Sequence, residues 1–250
     1  TSHADQKRYN RRCEHWLVEA EMFSAIATLL TQAPYPKAEL ETAWKKVLFN
    51  QFHDILPGSS IPEVFADANR EWELAQQSAL ALRENALRAI TSQIHLPEPP
   101  VMNAIPLVVY NSLNWERSET ISWKIPGDIS LNGQVLDEAG HLLPTQIDKQ
   151  SRTLRFWSLA PSIGYQVFWY AAMPQQINEA PPQQWLLENE FLRVEICPET
   201  GNVISIRDHA AQREVLSGPG NCLQFFQDKG QYWDAWNIDP NYTKHPLEET

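Results

Sequence analysis

The strongest constraint on the fold of this 250-residue chain is a change of hydrophobic periodicity at a proline-rich segment. Before residue 96, apolar residues recur every three or four positions, which is the period of a helix with one buried face. After residue 100, they alternate with polar residues over short runs bounded by turn residues, a pattern typical of β-strands. The segment between them, residues 96–100, contains three prolines that disfavour helix. The sequence therefore predicts an α+β, multidomain fold.

Three helices are predicted, over residues 3–30, 37–54 and 61–93. The third has the most regular pattern of apolar positions: Phe65, Ala68, Trp72, Ala75, Ala79, Leu82, Ala86 and Ala89. Spacing of this kind predicts near-parallel packing against other helices. Because the connections are short, we expect an up-down-up three-helix bundle.

Two helix starts carry the sequence of a capping box. Ser2 is followed three residues later by Asp5, and Ser60 by Glu63, with Pro62 in the first turn. In such a box the first side chain accepts a hydrogen bond from a backbone N–H of the first turn. We therefore expect side-chain caps at both starts.

We expect three domains: a three-helix bundle over 1–95, a small β domain over 101–174, and the N-terminal part of a large, truncated β-sandwich over 183–250. The predicted strands cover residues 107–110, 120–125 and 164–170, with a hairpin made by 191–196 and 203–206. The chain does not begin with Met, and both of its ends resemble cuts through a longer protein.

Charge and composition exclude some classes of partner. A net charge of −11 argues against nucleic acid and anionic membrane surfaces, and no apolar run approaches the roughly 20 residues of a membrane span. No signal peptide is visible. Ten tryptophans suit either sugar contacts or a β-rich core. The sequence leaves open whether the chain forms a homo-oligomer.

The cysteines indicate a reducing compartment. Cys13, Cys197 and Cys222 are odd in number and widely spaced, and no CxxC motif occurs. Neither a disulfide framework nor a thiolate zinc site is indicated. We therefore expect a cytoplasmic protein.

His53 and Asp54 are the strongest candidates for chemistry, at the predicted end of the second helix and just before Pro57 and Gly58. A neutral imidazole next to a carboxylate offers a metal ligand and a hydrogen-bond acceptor together. The structural alternative is an imidazolium that complements the negative helix end. A catalytic zinc needs about three protein ligands, and the sequence shows one.

The residues around this pair resemble a known family. Gln51-Phe52-His53-Asp54, followed by Pro57-Gly58-Ser59, is similar to the motif at the equivalent helix end of glycoside hydrolase family 38 α-mannosidases. Four further segments resemble the family in the same order: residues 1–14, 111–117, 187–201 and 232–239, the last being most similar to the cytosolic branch. Together, these motifs cover essentially the whole chain.

The resemblance implies a fragment of a retaining, metal-dependent exo-α-mannosidase that hydrolyses α-mannosidic bonds in mannose-containing oligosaccharides. By the resemblance, His53 binds one divalent metal, zinc with cobalt as the alternative, and Asp54 contacts the sugar. The same resemblance places the other metal ligands and the nucleophile before Thr1. It therefore implies that the fragment contains no catalytic residue, is inactive alone and holds metal only in the full-length enzyme.

Asp234 and Trp236 are further candidates for substrate contact, because the family lets this β segment reach back to the sugar pocket. A core tryptophan beside a turn-capping aspartate explains the same residues equally well. For the whole chain, the alternative function is a non-catalytic carbohydrate-binding or structural helix-plus-β-sandwich module.

Overall fold

The computed structural model describes residues 3–174, 185–229 and 237–247, and it confirms the predicted α+β class. The chain divides into two compact units, residues 1–175 and 176–250. The elements described in the first unit are α1 (Ala4–Thr31), α2 (Lys37–Asn50), α3 (Pro62–Thr91), β1 (Ile105–Asn111), β2 (Arg117–Lys124), β3 (Gln134–Leu136), β4 (Thr145–Asp148), β5 (Thr153–Ala160) and β6 (Gly164–Ala171). Those described in the second are β7 (Leu186–Glu188), β8 (Leu192–Ile196), β9 (Val203–Asp208), β10 (Arg213–Glu214) and a 3-10 turn at Tyr242–Lys244.

The first and third helices run parallel. Near their N-termini, the Trp72 indole N–H donates to Gln6 Oε1 at 2.7 Å, and farther along both helices Arg83 pairs with Glu19 at 2.7 Å. Among the described residues, no helix combines the length and apolarity that a membrane crossing requires.

The second helix runs antiparallel to the first. Trp44, in its middle, donates to Glu21 Oε1 at 2.6 Å, whereas Gln51, just past its end, donates to Asn10 Oδ1 at 2.9 Å. The predicted up-down-up bundle is therefore confirmed. Its central core consists of Cys13, Leu17, Ala20, Leu40, Ala43, Val47, Ile55, Ala68, Trp72, Ala75 and Ala79.

A polar side chain, that of Gln6, and a thiol, that of Cys13, are buried in the bundle. Gln6 is fully buried, and its amide accepts from Trp72 and donates to Asn69 Oδ1 at 2.6 Å. A buried amide is tolerated when its donors and acceptors are satisfied in this way. Burial also raises the pKa of the Cys13 thiol to about 11, so that this cysteine is protonated and unreactive at neutral pH.

The capping box predicted at Ser60 is not found. At α3 the N-cap is Ile61, with no side-chain hydrogen bond, and Pro62 takes the first helical position. Proline suits this position, because its missing N–H would have no partner there. Ser2 lies outside the described residues, and α1 follows His3, whose ring stacks on Phe65 with 3.6 Å between centroids.

The rest of the first unit is a small sandwich of two antiparallel sheets, ordered β1-β6-β3 and β2-β5-β4. Phe156 on β5 meets Phe168 on β6 edge to face at 5.2 Å. The buried residues between the sheets are Ile125, Val135, Leu154, Phe156, Phe168 and Tyr170. The interdigitated aromatic side chains hold the two sheets together.

The sandwich packs against the C-terminal half of the bundle. Tyr110 on β1 contacts Phe23 edge to face at 5.8 Å, and its hydroxyl lies 2.8 Å from Thr91 Oγ1. Ser112 donates to Glu19 Oε1 at 3.2 Å. These contacts lie toward the opposite end of the bundle from the turn that carries His53.

The second unit contains a four-stranded antiparallel sheet, ordered β10-β9-β8-β7, and the predicted hairpin of 191–196 and 203–206 is confirmed as β8 and β9. By strand alternation, one face of the sheet carries apolar side chains: Leu187, Leu192, Val194, Ile204 and Ile206. On the other face Arg193 pairs with Glu188 and Glu195. Within residues 185–229 and 237–247, no residue is buried. No described side chain on the apolar face is therefore buried.

Candidate functional site

The prediction that the second helix extends to residue 54 is wrong, because α2 ends at Asn50. The N–H of Gln51 bonds to the carbonyls of both Val47 and Leu48. Bonds between residues three or four apart then continue as irregular turns, such as that from the Ile55 N–H to the Phe52 carbonyl at 2.9 Å. His53 and Asp54 therefore lie on a turn beyond the helix.

Two amides tie the start of this turn to the other helices. Asn50 is buried, and its Nδ2 donates to the carbonyl of Ala68 on α3 at 3.1 Å. Gln51 Nε2 donates to Asn10 Oδ1 at 2.9 Å and to Glu14 Oε1 at 3.0 Å, both on α1. Asn50 and Gln51 are thus bonded to different helices, Asn50 to α3 and Gln51 to α1.

The second half of the turn is also held. Ile55 is buried in the bundle core, and Lys7 Nζ on α1 donates to the Pro57 carbonyl at 2.6 Å. Gly58 is buried and has a φ of 93°, a backbone conformation that glycine adopts without steric cost. The turn is therefore a supported platform rather than a loose loop.

Gly58→Ala is expected to lower the free energy of unfolding by about 1–2 kcal/mol, because a Cβ is strained at positive φ. Urea unfolding of the purified protein would measure the change. Gly127→Ala is the matched control: a Cβ there meets nothing within 4 Å, so the change should stay within about 0.5 kcal/mol. Equal stability of the two variants would contradict a structural role for Gly58.

The side chains presented on this platform are exposed. His53 is 78% exposed and Asp54 45%, and His53 Nε2 lies 3.6 Å from Asp54 Oδ2. Asp54 Oδ1 accepts from the Ser59 hydroxyl at 3.3 Å. Within the described residues, no hydrogen bond engages the ring nitrogens of His53. A ring nitrogen of the imidazole is therefore available to bind an external metal ion.

Apolar side chains surround the pair. Leu48, Phe49 and Phe52 are all more than half exposed, and the Phe52 ring lies 4.2 Å from that of His53. A groove between α2 and α3 begins at Phe49, but neither His53 nor Asp54 lines it. The candidate pair is thus exposed to solvent beside the Phe52 ring, outside the groove between α2 and α3.

This arrangement can hold a metal ion only if further residues supply the remaining ligands. A neutral imidazole beside a carboxylate is a common donor set for zinc, but zinc normally takes about three or four protein ligands. Among residues 3–174, 185–229 and 237–247, no three His, Cys, Asp or Glu side chains are grouped so that they could hold a metal ion. His53 therefore fits as one donor to a site that needs further ligands.

The other sequence candidates cannot be placed. Asp234 and Trp236 lie outside the described residues, so the structure does not relate them to His53. The residues that sequence reasoning missed are those that support the turn, above all Asn10 and Glu14. They lie four residues apart on one face of α1, but polar pairs of this kind are common on helix surfaces and gave no signal.

Two protein-family matches cover the N-terminal and C-terminal parts of the chain. Residues 1–90 match the family described as Alpha mannosidase middle domain. Residues 187–250 match the family described as Glycosyl hydrolases family 38 C-terminal domain. The candidate turn lies within the first match.

Individual relatives agree with these matches. Alpha-mannosidase 2C1 of Mus musculus is 30% identical over 252 residues, which cover 95% of this chain and 21% of that protein, and the Homo sapiens protein of the same name gives the same figures over 254 residues. The chain thus spans about a fifth of the length of these relatives.

A solved structure supports the fold. The crystal structure of an alpha-mannosidase from Enterococcus faecalis V583 superposes with a TM-score of 0.64 and 21% identity, covering 86% of this chain and 29% of that one. At this identity the likeness concerns the fold alone. The two family matches and the relatives show that this chain belongs to glycoside hydrolase family 38, the α-mannosidases.

Proposed function

We propose that this chain is a segment of a longer, retaining, metal-dependent exo-α-mannosidase that hydrolyses α-mannosidic bonds in oligosaccharides. The observation that carries the proposal is the pair His53 and Asp54, exposed side by side on a supported turn in the part of the chain that matches the α-mannosidase middle domain. The names of the relatives, which are α-mannosidases, support mannose-containing glycans as the substrate class.

In this proposal His53 donates one imidazole nitrogen to a divalent metal, zinc with cobalt as the alternative. The remaining ligands come from residues outside the described part of the chain. When bound, such a metal supplies electrostatic stabilisation of charge and a fixed point for orienting sugar hydroxyl groups. The chain's own contribution is to hold the imidazole exposed on a supported turn.

Asp54 is proposed to accept a hydrogen bond from a sugar hydroxyl. Its Oδ1 already accepts from Ser59, and its Oδ2 faces the His53 ring. A charge-assisted hydrogen bond of this kind is stronger than a neutral one. The carboxylate therefore orients the sugar next to the metal-binding imidazole.

Retention of stereochemistry requires a nucleophile and a general acid whose carboxyl groups lie about 5–5.5 Å apart. We propose that the nucleophile belongs to a segment outside this chain, so that none of the chain's own residues is catalytic in the strict sense. The chain would then supply binding and orientation only.

The cytoplasm is proposed as the compartment. All three cysteines lie among the described residues, and none is in a disulfide. Free thiols are the normal state in a reducing compartment.

The proposal is tested on the full-length protein with a chromogenic α-mannoside. Activity should disappear with a chelator and return with Zn²⁺ or Co²⁺, and NMR should find the α-anomer of mannose released first. Release of the β-anomer would contradict retention, and chelator-resistant turnover would contradict metal dependence. Sugar binding without any turnover would favour a carbohydrate-binding module.

The isolated 250-residue chain is expected to show no α-mannosidase activity and only weak binding of divalent metal. One imidazole with a neighbouring carboxylate is an incomplete zinc site. Zinc titration of the purified chain, with the full-length protein as control, would measure this. Chelator-sensitive hydrolysis of an α-mannoside by the isolated chain would prove the expectation wrong.

A further inference from the structure

Gln51 occupies a special position in the candidate turn. Its side-chain amide has two N–H groups, and the structure uses both: Nε2 donates to Asn10 Oδ1 at 2.9 Å and to Glu14 Oε1 at 3.0 Å. Asn10 and Glu14 lie four residues apart on α1, so their oxygen atoms face the amide from the same side of the helix. The amide thus bridges the turn to two points on a rigid element.

This bridge lies two residues before His53, where the backbone has already left the helix. The helix ends at Asn50, and past it the backbone is held by bonds from the Gln51 N–H to Val47 and Leu48 and from the Phe52 N–H to the Phe49 carbonyl. Phe52 and His53 are themselves exposed and Asp54 is about half exposed, so these side chains add little packing. The direction in which His53 leaves the bundle therefore depends on the backbone bonds of the turn and on the side-chain supports on either side, Gln51 and Ile55, each two residues away.

Two of the other supports act farther from His53 along the chain. Asn50 bonds to the Ala68 carbonyl and holds the end of α2, whereas Lys7 bonds to the Pro57 carbonyl after the motif. Ile55 anchors the middle of the turn in the core. Of these supports, Gln51 alone makes two side-chain hydrogen bonds to another helix.

We propose that Gln51 is a positioning residue for His53, and that it acts through its paired hydrogen bonds to Asn10 and Glu14. The inference rests on the proposed function, since it concerns the imidazole proposed to bind metal. A ligand held in the geometry of the bound state loses less freedom on binding, which is why residues that orient metal ligands affect affinity.

Gln51→Glu tests the inference in the full-length protein. The two side chains have the same shape, but a carboxylate cannot donate, and it would face the carboxylate of Glu14. Zn²⁺ affinity, measured by competition with a chelator below the melting temperature of each variant, should fall about 10–100-fold. If Gln51→Glu does not fold, Gln51→Ala takes its place, because it removes both donors without adding charge. The Zn²⁺ affinity of Gln51→Ala should fall by the same factor.

The reciprocal exchange provides the rescue. In the double variant Gln51→Glu with Glu14→Gln, the new glutamine donates to the new carboxylate, and Asn10 can turn its amide to donate as well. The Zn²⁺ affinity of the double variant should return to within about threefold of that of the original protein. Glu14→Gln alone keeps an acceptor for Gln51, so its Zn²⁺ affinity should also stay within about threefold. If Gln51 had only a structural role, its replacement would lower the melting temperature and leave the Zn²⁺ affinity unaltered.

Glu19→Gln is the matched control. It weakens a bond of similar length between α1 and α3, to Arg83 at 2.7 Å, far along the bundle from the turn. It should lower stability without changing Zn²⁺ affinity. Loss of affinity in this variant would mean that general destabilisation, and not the bridge, controls the site.

The outcomes separate the two proposals when His53→Ala is measured beside them. If His53→Ala loses Zn²⁺ affinity but Gln51→Glu does not, the positioning role is overturned and the proposed function stands. Failure of the reciprocal exchange to restore affinity also overturns the role through Glu14. If His53→Ala binds Zn²⁺ normally, the proposed function fails, and the positioning role fails with it.

Discussion

In the full-length enzyme, His53→Ala is expected to reduce both Zn²⁺ affinity and kcat/KM by at least about 100-fold, more than the loss of a residue that only supports a ligand. The fold should be unaffected. The side chain is 78% exposed, so its removal should change the free energy of unfolding by less than about 1 kcal/mol.

Asp54→Asn should behave differently. The metal should be retained, whereas kcat/KM should fall by roughly 10- to 150-fold, because a charged acceptor to a sugar hydroxyl contributes about 1.5–3 kcal/mol. A chelator-competition titration beside steady-state kinetics on a chromogenic α-mannoside separates the two effects. Parallel loss of metal in both variants would make Asp54 a ligand as well.

The chain offers a close control in His141→Ala. His141 is also 78% exposed, and its Nδ1 lies 3.0 Å from Asp137 Oδ2, but it lies on the small sandwich. This variant should keep normal metal content and rate. If His53→Ala is equally silent, the His53–Asp54 pair is only a surface ion pair at the end of the helix.

A polypeptide of residues 185–250 alone is expected not to fold cooperatively. None of its described residues is buried, and five aliphatic side chains share one uncovered sheet face. Burial of apolar area contributes about 25 cal/mol per Å², and a sheet whose apolar face stays in water forgoes most of this stabilisation.

Residues 3–175 are the matched control, because they contain the bundle core and the core between the two small sheets. Thermal unfolding followed by near-ultraviolet circular dichroism should give one sharp transition for 3–175 and none for 185–250. The short polypeptide should also bind a dye for exposed apolar surface. A sharp transition of 185–250 in dilute solution would show that its sheet needs no further cover.

Much of the secondary structure could be predicted from periodicity. The starts of α2 and α3 and the hairpin of β8 and β9 agree closely with the expected segments. β5 was missed, although every second residue from Leu154 is buried, because its outward positions include Trp157 and Leu159. Apolar residues on both faces hide the alternation. β3 and β10, with three and two residues, are too short to produce a pattern.

Part of the candidate site could also be predicted from the sequence, and part of it could not. The motif that contains His53 and Asp54 is visible in the sequence because its residues are consecutive, and its resemblance to the family indicates their roles. Periodicity and composition alone leave the structural alternative open. The end of α2 was misplaced by four residues, since the turn that follows continues with short-range hydrogen bonds and contains no breaker before Pro57.

By itself, the sequence determined the α+β class, the order of the three helices and the place of the His53–Asp54 pair in the chain, because each of these depends on neighbours within a few residues. Only the tertiary structure decided how the turn is held. Gln51 meets Asn10 and Glu14 across 41 and 37 residues of chain, and Lys7 meets Pro57 across 50. Such contacts exist only once α1 and α2 lie antiparallel in the bundle, and no local pattern specifies which polar side chains will then face each other.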